Sequence, residues 1–146
     1  MFFHYSLLLG IIVHILCQVF KLIYYSLKEG RFNLHYLLTA GGMPSTHSAF
    51  TGTVTLCLGL LKGFDSEYFA LGFAFTAVVV YDSLRLRGAV QSHSEILIKL
   101  TAHLEPALQK DIPRMVGHTL PEIIVGLFLA LVVSLAGYAL KGYFGL

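Results

Sequence analysis

The sequence predicts an all-α protein, an integral membrane helical bundle of about four transmembrane helices plus an amphipathic surface helix, forming a single membrane-embedded domain over residues 1–146. Three observations predict it. Of the 146 residues, 56% are hydrophobic and 12% charged, and the mean hydropathy is +0.75, too apolar for a water-soluble domain of this length. The apolar residues form long runs instead of the alternation or stripes of a globular core. Four of those runs approach the ~20 residues a helix needs to cross the bilayer.

The first run, Tyr5 to Leu27, belongs to an apolar N-terminus that lacks both a basic start and a convincing small-residue cleavage site. It reads as a retained helix and not as a signal peptide. A polar connection from Lys28 to Ser45 leads to the second run, His47 to Lys62, which is short and Thr-rich. Such a helix suits a position lining the bundle, protected by its neighbours, better than one facing lipid. The tight turn Lys62-Gly63-Phe64-Asp65 then makes the third run, Phe64 to Leu84, an antiparallel neighbour of the second. Between Arg85 and Gly117, the residues Ile96, Leu97, Leu100, Leu104, Ala107 and Leu108 recur near helical spacing among Lys99, His103, Glu105 and Lys110. That is the pattern of an amphipathic helix lying on a membrane face. The fourth run is Thr119 to Leu140, and no internal repeat, low-complexity tract or linker divides the chain.

Net charge is +2 from ten basic and eight acidic residues, which gives no basic footprint for nucleic acid. Cys17 and Cys57 sit inside apolar runs, where a thiol behaves as a small hydrophobe, so no disulfide framework is expected. Lys21, Lys28, Arg31, Arg85, Arg87, Lys99, Lys110 and Arg114 fall at or beyond the same helix ends, against Lys62 and Lys141 on the other side. By the positive-inside rule the long connections face the cytoplasm. Tyr24, Tyr25, Tyr36, Tyr68, Tyr81, Tyr138 and Tyr143 cluster near helix ends as an interfacial belt.

Threading four helices up and down brings four polar groups of residues to one membrane face. They are Lys21, the turn Pro44-Ser45-Thr46-His47-Ser48, Asp82 with Arg87, and His118 with Glu122. Ionisable groups from four segments meeting at one level of a bundle mark a functional site more than they mark packing. Arg87 can fork phosphate oxygens and Lys21 supplies a point charge. Ser45 and Thr46 open a helix whose free N–H groups and dipole favour an anion. The His118-x-x-x-Glu122 spacing puts both side chains on one helix face, so the carboxylate can orient one imidazole nitrogen and leave the other as a nucleophile. His47 can then protonate a leaving alkoxide. Taken singly, Lys21 could merely snorkel, Ser45 merely cap a helix, and His118 pair with Glu122 only for stability; it is the set that points to phosphate chemistry. His4, His14, His35, His93 and His103 show no metal-ligand spacing and read as interfacial or exposed imidazoles.

The stretch Gly41-Gly42-Met43-Pro44-Ser45-Thr46-His47-Ser48-Ala49, followed by Tyr81-Asp82 through Arg87 and by Gly117-His118-Thr119 with Glu122, resembles the divergent branch of the type 2 phosphatidic acid phosphatases, which are related to the vanadium-dependent haloperoxidases. The similarity runs from Gln18 and Lys21 to Gly126. It implies a metal-independent phosphatase without cofactor, working through a phosphohistidine intermediate. In that likeness His118 resembles the nucleophile, His47 the histidine that protonates the leaving group, Ser45 and the Thr46 backbone the phosphate cradle, and Lys21 the lysine of the first motif. Glu122 stands where the better-known branch has an aspartate. The chain departs from the pattern at Arg85-Leu86-Arg87-Gly88: Gly88 replaces a second arginine, and Arg85 takes a glycine position from which it could restore the lost charge. Ile112 occupies the place of another arginine of the better-known branch.

The expected substrate is therefore a lipid phosphate, of the phosphatidylglycerol phosphate or phosphatidate class for a cytoplasmic site. Recycled polyprenyl diphosphate is the alternative for a site on the other face. The rival from another class is a non-enzymatic carrier or scaffold that binds anionic lipid head groups at the same basic face. A homodimer is compatible with so small a bundle, and the resemblance implies a bacterial inner membrane or a plastid membrane as host.

Overall fold

The computed structural model describes residues 4–37, 41–101, 112 and 117–144. Leu104, Ala107, Leu108, His103, Glu105, Lys110 and Arg114 lie outside the described residues, as does the His35 side chain. Every regular element among those described is helical: α1 (Tyr5–Glu29), a short 3-10 helix (Leu34–Leu37), α2 (Thr46–Lys62), α3 (Glu67–Leu84), α4 (Leu86–Thr101) and α5 (Leu120–Phe144).

Local chemistry sets the helix ends. Gly30 closes α1 in the left-handed conformation at φ 68°, its N–H returning to Leu27, the usual glycine C-cap. Ser45 caps α2 by accepting from the Ser48 N–H, and Ser66 caps α3 by accepting from the Phe69 N–H. Because the cap is Ser66, α3 begins three residues later than the apolar run, with Phe64 left in the turn and stacked edge-on against Phe69.

The short helix α2 is the centre of the bundle, packed on α1, α3 and α5. Its buried positions include Ser48, Ala49, Thr51, Gly52, Thr53, Thr55, Cys57 and Gly59. Small side chains of this kind let neighbouring helices approach closely, as membrane bundles require, and their hydroxyls find partners inside the bundle. Thr53 donates to the Ala49 carbonyl at 2.7 Å, Thr55 pairs with Thr76 of α3 at 2.9 Å, and Ser134 of α5 donates to the Thr53 carbonyl at 3.3 Å. The expectation of a protected lining helix holds.

The outer helices present Ile15, Leu16, Phe20, Leu71, Phe73, Phe75, Phe128 and Leu135 outward, each at least half exposed, which in an integral membrane protein is the lipid-facing surface. Three helical stretches are long and apolar enough to cross a membrane: Tyr5–Glu29, Glu67–Thr101 and Leu120–Phe144. The second joins α3 to α4, since Arg85 between them stays in the right-handed helical region. At 1.5 Å per residue such a run reaches about 50 Å, well beyond a hydrocarbon core of about 30 Å, so α4 extends past the core. The amphipathic segment thus begins earlier than its apolar spacing indicates. At the face away from the site, Tyr5 donates to the Gly137 carbonyl at 2.6 Å and the Lys141 ammonium lies over the Tyr5 ring, tying the start of α1 to the end of α5.

Candidate active site

Each of the four expected groups of residues arrives at the same end of the bundle. The N-terminus of α2 is fixed there by α5: the Ser45 N–H donates to the Glu122 carbonyl at 3.0 Å. Gly126, one turn further along α5, makes this approach possible, since a Cβ at that position would stand 2.5 Å from the Ser45 carbonyl oxygen. His118 sits just before α5, its N–H donating to the Ser83 carbonyl at the end of α3. Gly117 beside it packs so closely on Arg87 and Gly88 that a Cβ would come within 2.9 Å of the Gly88 Cα. Gly88, the departure from the family pattern, thus lies where α4 meets the segment that carries His118.

His118 is buried, and its Nδ1 lies 2.8 Å from Glu122 Oε2. A carboxylate there holds the proton on Nδ1 and leaves the Nε2 lone pair available. Nε2 is itself buried without a hydrogen-bond partner among the described residues. Glu122 is steadied in turn by the Thr119 N–H at 3.3 Å. Burial pushes the His118 pKa below the ordinary 6.5; the Glu122 hydrogen bond opposes that shift, and the positive charges of Lys21 and Arg87 add to it. The net effect is a ring kept neutral at neutral pH.

The His47 ring, on the first turn of α2, stands 6.2 Å from the His118 ring, centroid to centroid, at 68° between planes. Among the described residues its Nδ1 also has no partner and is buried, as is the neighbouring Thr46 hydroxyl. Ser45 is fully buried, its hydroxyl paired with that of Ser48 at 3.0 Å.

Lys21 has no exposed surface at all, and its ammonium donates to the Gly41 carbonyl at 3.0 Å. An ammonium carries three donors, and a buried charge is costly unless paired and hydrogen-bonded. That carbonyl is neutral, and among the described residues Lys21 is in no ion pair, so the position suits an anion. Arg87, half exposed, donates through Nε to Asp82 Oδ2 at 2.8 Å. That contact leaves the outer end of the guanidinium fork for other acceptors and gives Asp82 a place that the sequence reading lacked: it orients Arg87. Arg85 is exposed at the C-cap of α3, in no ion pair among the described residues. It is the one expected site residue not drawn into this group.

Other residues brace the site: the sequence marks Ser48, in the turn before α2, and Gln18, at the start of the resemblance, without giving either a role, and does not mark Gln91. Ser48 braces the Ser45 hydroxyl, Gln91 accepts from the Gly117 N–H at 3.1 Å, and Gln18, on the Lys21 side of α1, has a buried side-chain oxygen without a partner. Gln18 lies on the apolar first span three residues before Lys21, a polar spacing in a membrane helix that could have suggested its role. Among the described residues no group of three or more His, Cys, Asp or Glu side chains is arranged to hold a metal ion.

The family described as "Divergent PAP2 family" matches residues 2–133. Among curated proteins the chain is similar to the "Uncharacterized membrane protein YuiD" of Bacillus subtilis (strain 168), 24% identical over 149 residues, covering 90% of this chain and 94% of that relative. No solved structure matches.

Proposed function

This chain belongs to the divergent PAP2 family, and from that premise we propose that it is an integral membrane phosphatase that hydrolyses a phosphomonoester or diphosphate of a lipid through a phosphohistidine intermediate. The observation that carries the reading is the pair of facing imidazoles. One is held by Glu122 with its second nitrogen buried and unsatisfied, the other lies 6.2 Å away, and a fully buried ammonium stands at the same level.

In the proposed reaction Lys21, Arg87, the Ser45 hydroxyl and the N–H groups opening α2 hold the phosphate oxygens. The Nε2 lone pair of His118 attacks phosphorus, forming an N–P bond as the P–O bond to the lipid breaks. His47 gives its proton to the departing alkoxide. It then takes a proton from water, whose oxygen attacks the phosphohistidine, releasing inorganic phosphate and restoring His118. Glu122 stabilises the positive charge that develops on the His118 ring, and each well-placed donor to the equatorial oxygens contributes on the order of 3 kcal/mol. No metal is required for either step.

The excess of Lys and Arg at this end of the helices favours a cytoplasmic active face, and with it a phosphatidylglycerol phosphate or phosphatidate substrate over polyprenyl diphosphate. The test is phosphate release by the purified protein from a panel of those three lipid classes, with His118→Ala and His47→Ala as controls. Release that both substitutions abolish supports the reading. Tight lipid-phosphate binding without turnover, unchanged in His118→Asn, assigns the protein instead to the carriers of anionic lipids.

A further inference from the structure

Helices α1 and α3 both pack along α2, and between them runs a groove of about 460 Å³ lined by Ile11, His14, His47, Phe50, Thr51, Phe75 and Val79. That volume lies within the range of small-molecule sites, and its surface is almost wholly apolar. Its inner end is His47, and from there it follows the bundle between two membrane helices. A second apolar groove, of about 430 Å³, lies on the other side of α1, between α1, Met43-Pro44 and α5, and is lined in part by Leu16, Cys17, Leu129 and Val133. The two flank one site, and a hydrocarbon chain attached to the phosphate could in principle lie in either.

The chemistry selects between them. In an in-line displacement the nucleophile and the leaving oxygen occupy opposite sides of phosphorus. His118 is the attacking group, so the lipid oxygen departs towards the acid that protonates it, His47. His47 is a wall of the α1–α3 groove and does not line the α1–α5 groove. We infer that the α1–α3 groove seats the hydrocarbon chain of the lipid phosphate, and that substrate enters sideways from the bilayer between α1 and α3. The inference rests on the role proposed for His47. The Thr51 hydroxyl facing this region is already satisfied by the His47 carbonyl at 2.9 Å, and His14 is stacked edge-on against Phe50. Thr51 therefore asks for no polar ligand, which fits hydrocarbon.

The test uses the full-length protein in phosphatidylcholine vesicles and a long-chain alkyl phosphonate, whose C–P bond resists hydrolysis, carrying a photoactivatable diazirine in mid-chain. Labelling at Val79 or Ile11 that excess vanadate suppresses is the expected result. Labelling at Leu129 or Val133, or labelling spread over the lipid-facing surface and indifferent to vanadate, overturns the inference. A kinetic arm runs beside it. Val79→Trp, displacing about two methylenes from the groove, should raise KM for a long-chain lipid phosphate about tenfold at the usual transfer energy per methylene. It should leave a short, water-soluble phosphomonoester unaffected, and Leu129→Trp should change neither. Equal effects of Val79→Trp on both substrates contradict the assignment. Labelling of the expected groove by a protein that hydrolyses none of these substrates would locate the fault in the proposed chemistry and leave the groove's occupant standing.

Discussion

Replacing Glu122 by Gln probes the catalytic scheme with the least disturbance of the fold. The amide is nearly isosteric, it can still accept from the Thr119 N–H, and the backbone bond from Ser45 to the residue 122 carbonyl is kept. What changes is the acceptor 2.8 Å from Nδ1 of His118, whose side chain is buried, whereas that of Glu122 is 19% exposed. A hydrogen bond to a charged group contributes roughly 1.5–3 kcal/mol, and a neutral one roughly 0.5–1.5. The loss of about 1–2 kcal/mol falls where His118 becomes positively charged, in the transition state, and corresponds to about a 5- to 30-fold fall in kcat. Phosphate release from lipid phosphate in mixed micelles should show kcat reduced with KM little changed, because Glu122 does not contact the substrate in this scheme. The pH profile adds a second readout. The Glu122 bond holds the His118 pKa up against burial, so its removal should carry the acid limb of kcat to lower pH. Undiminished kcat in Glu122→Gln, or an acid limb moving to higher pH, would refute the reasoning.

Other predictions follow from the same geometry. In the unaltered protein burial keeps His118 below its ordinary pKa, so the acid limb of kcat/KM assigned to the nucleophile should have its midpoint under pH 6.5; a pH–rate profile checks this. His47→Ala should slow release from alkyl phosphates by about 10²–10⁴, and far less from a nitrophenyl phosphate, whose leaving group needs no proton. Lys21→Met should weaken substrate binding, read as KM, while leaving thermal stability equal or higher, because a buried unpaired charge is exchanged for an apolar side chain of similar length. Gly126→Ala should destabilise the bundle by about 1–3 kcal/mol and lower activity with it, since its Cβ would meet the Ser45 carbonyl at 2.5 Å; thermal unfolding in detergent measures the first effect.

The helical fold was legible because the signal is physical and local: runs such as Tyr5 to Leu27 and Thr119 to Leu140 allow little but a membrane helix, and observed α1 and α5 overrun them by only a few residues. The boundary of α3 was less legible. Phe64 extends the apolar run but serves in the turn, and Ser66 decides the start. The His118–Glu122 contact was readable from i, i+4 spacing alone. Convergence of Lys21, His47 and His118 followed from topology, since four antiparallel passes return alternate ends to one face. Asp82 and Arg87 were legible as neighbours at the site but not as an ion pair, because they flank the junction of two helices and their contact depends on how Arg85 carries the chain across it. Arg85 itself shows the limit of pattern matching. Sequence position made it a replacement charge, whereas the backbone leaves it exposed at the C-cap of α3. Tight approaches such as Gly126 on Ser45 require the packed bundle before they can be seen.

The central claim is a covalent bond between phosphorus and one particular nitrogen. Rapid quenching of the protein with a lipid phosphate labelled at phosphorus, followed by peptide mapping, tests it directly. Acid-labile, base-stable label on His118 during turnover, absent from His118→Ala and accumulating when water attack is slowed, is the predicted result; turnover at a normal rate with His118 unlabelled, or with the label on another side chain, would contradict it.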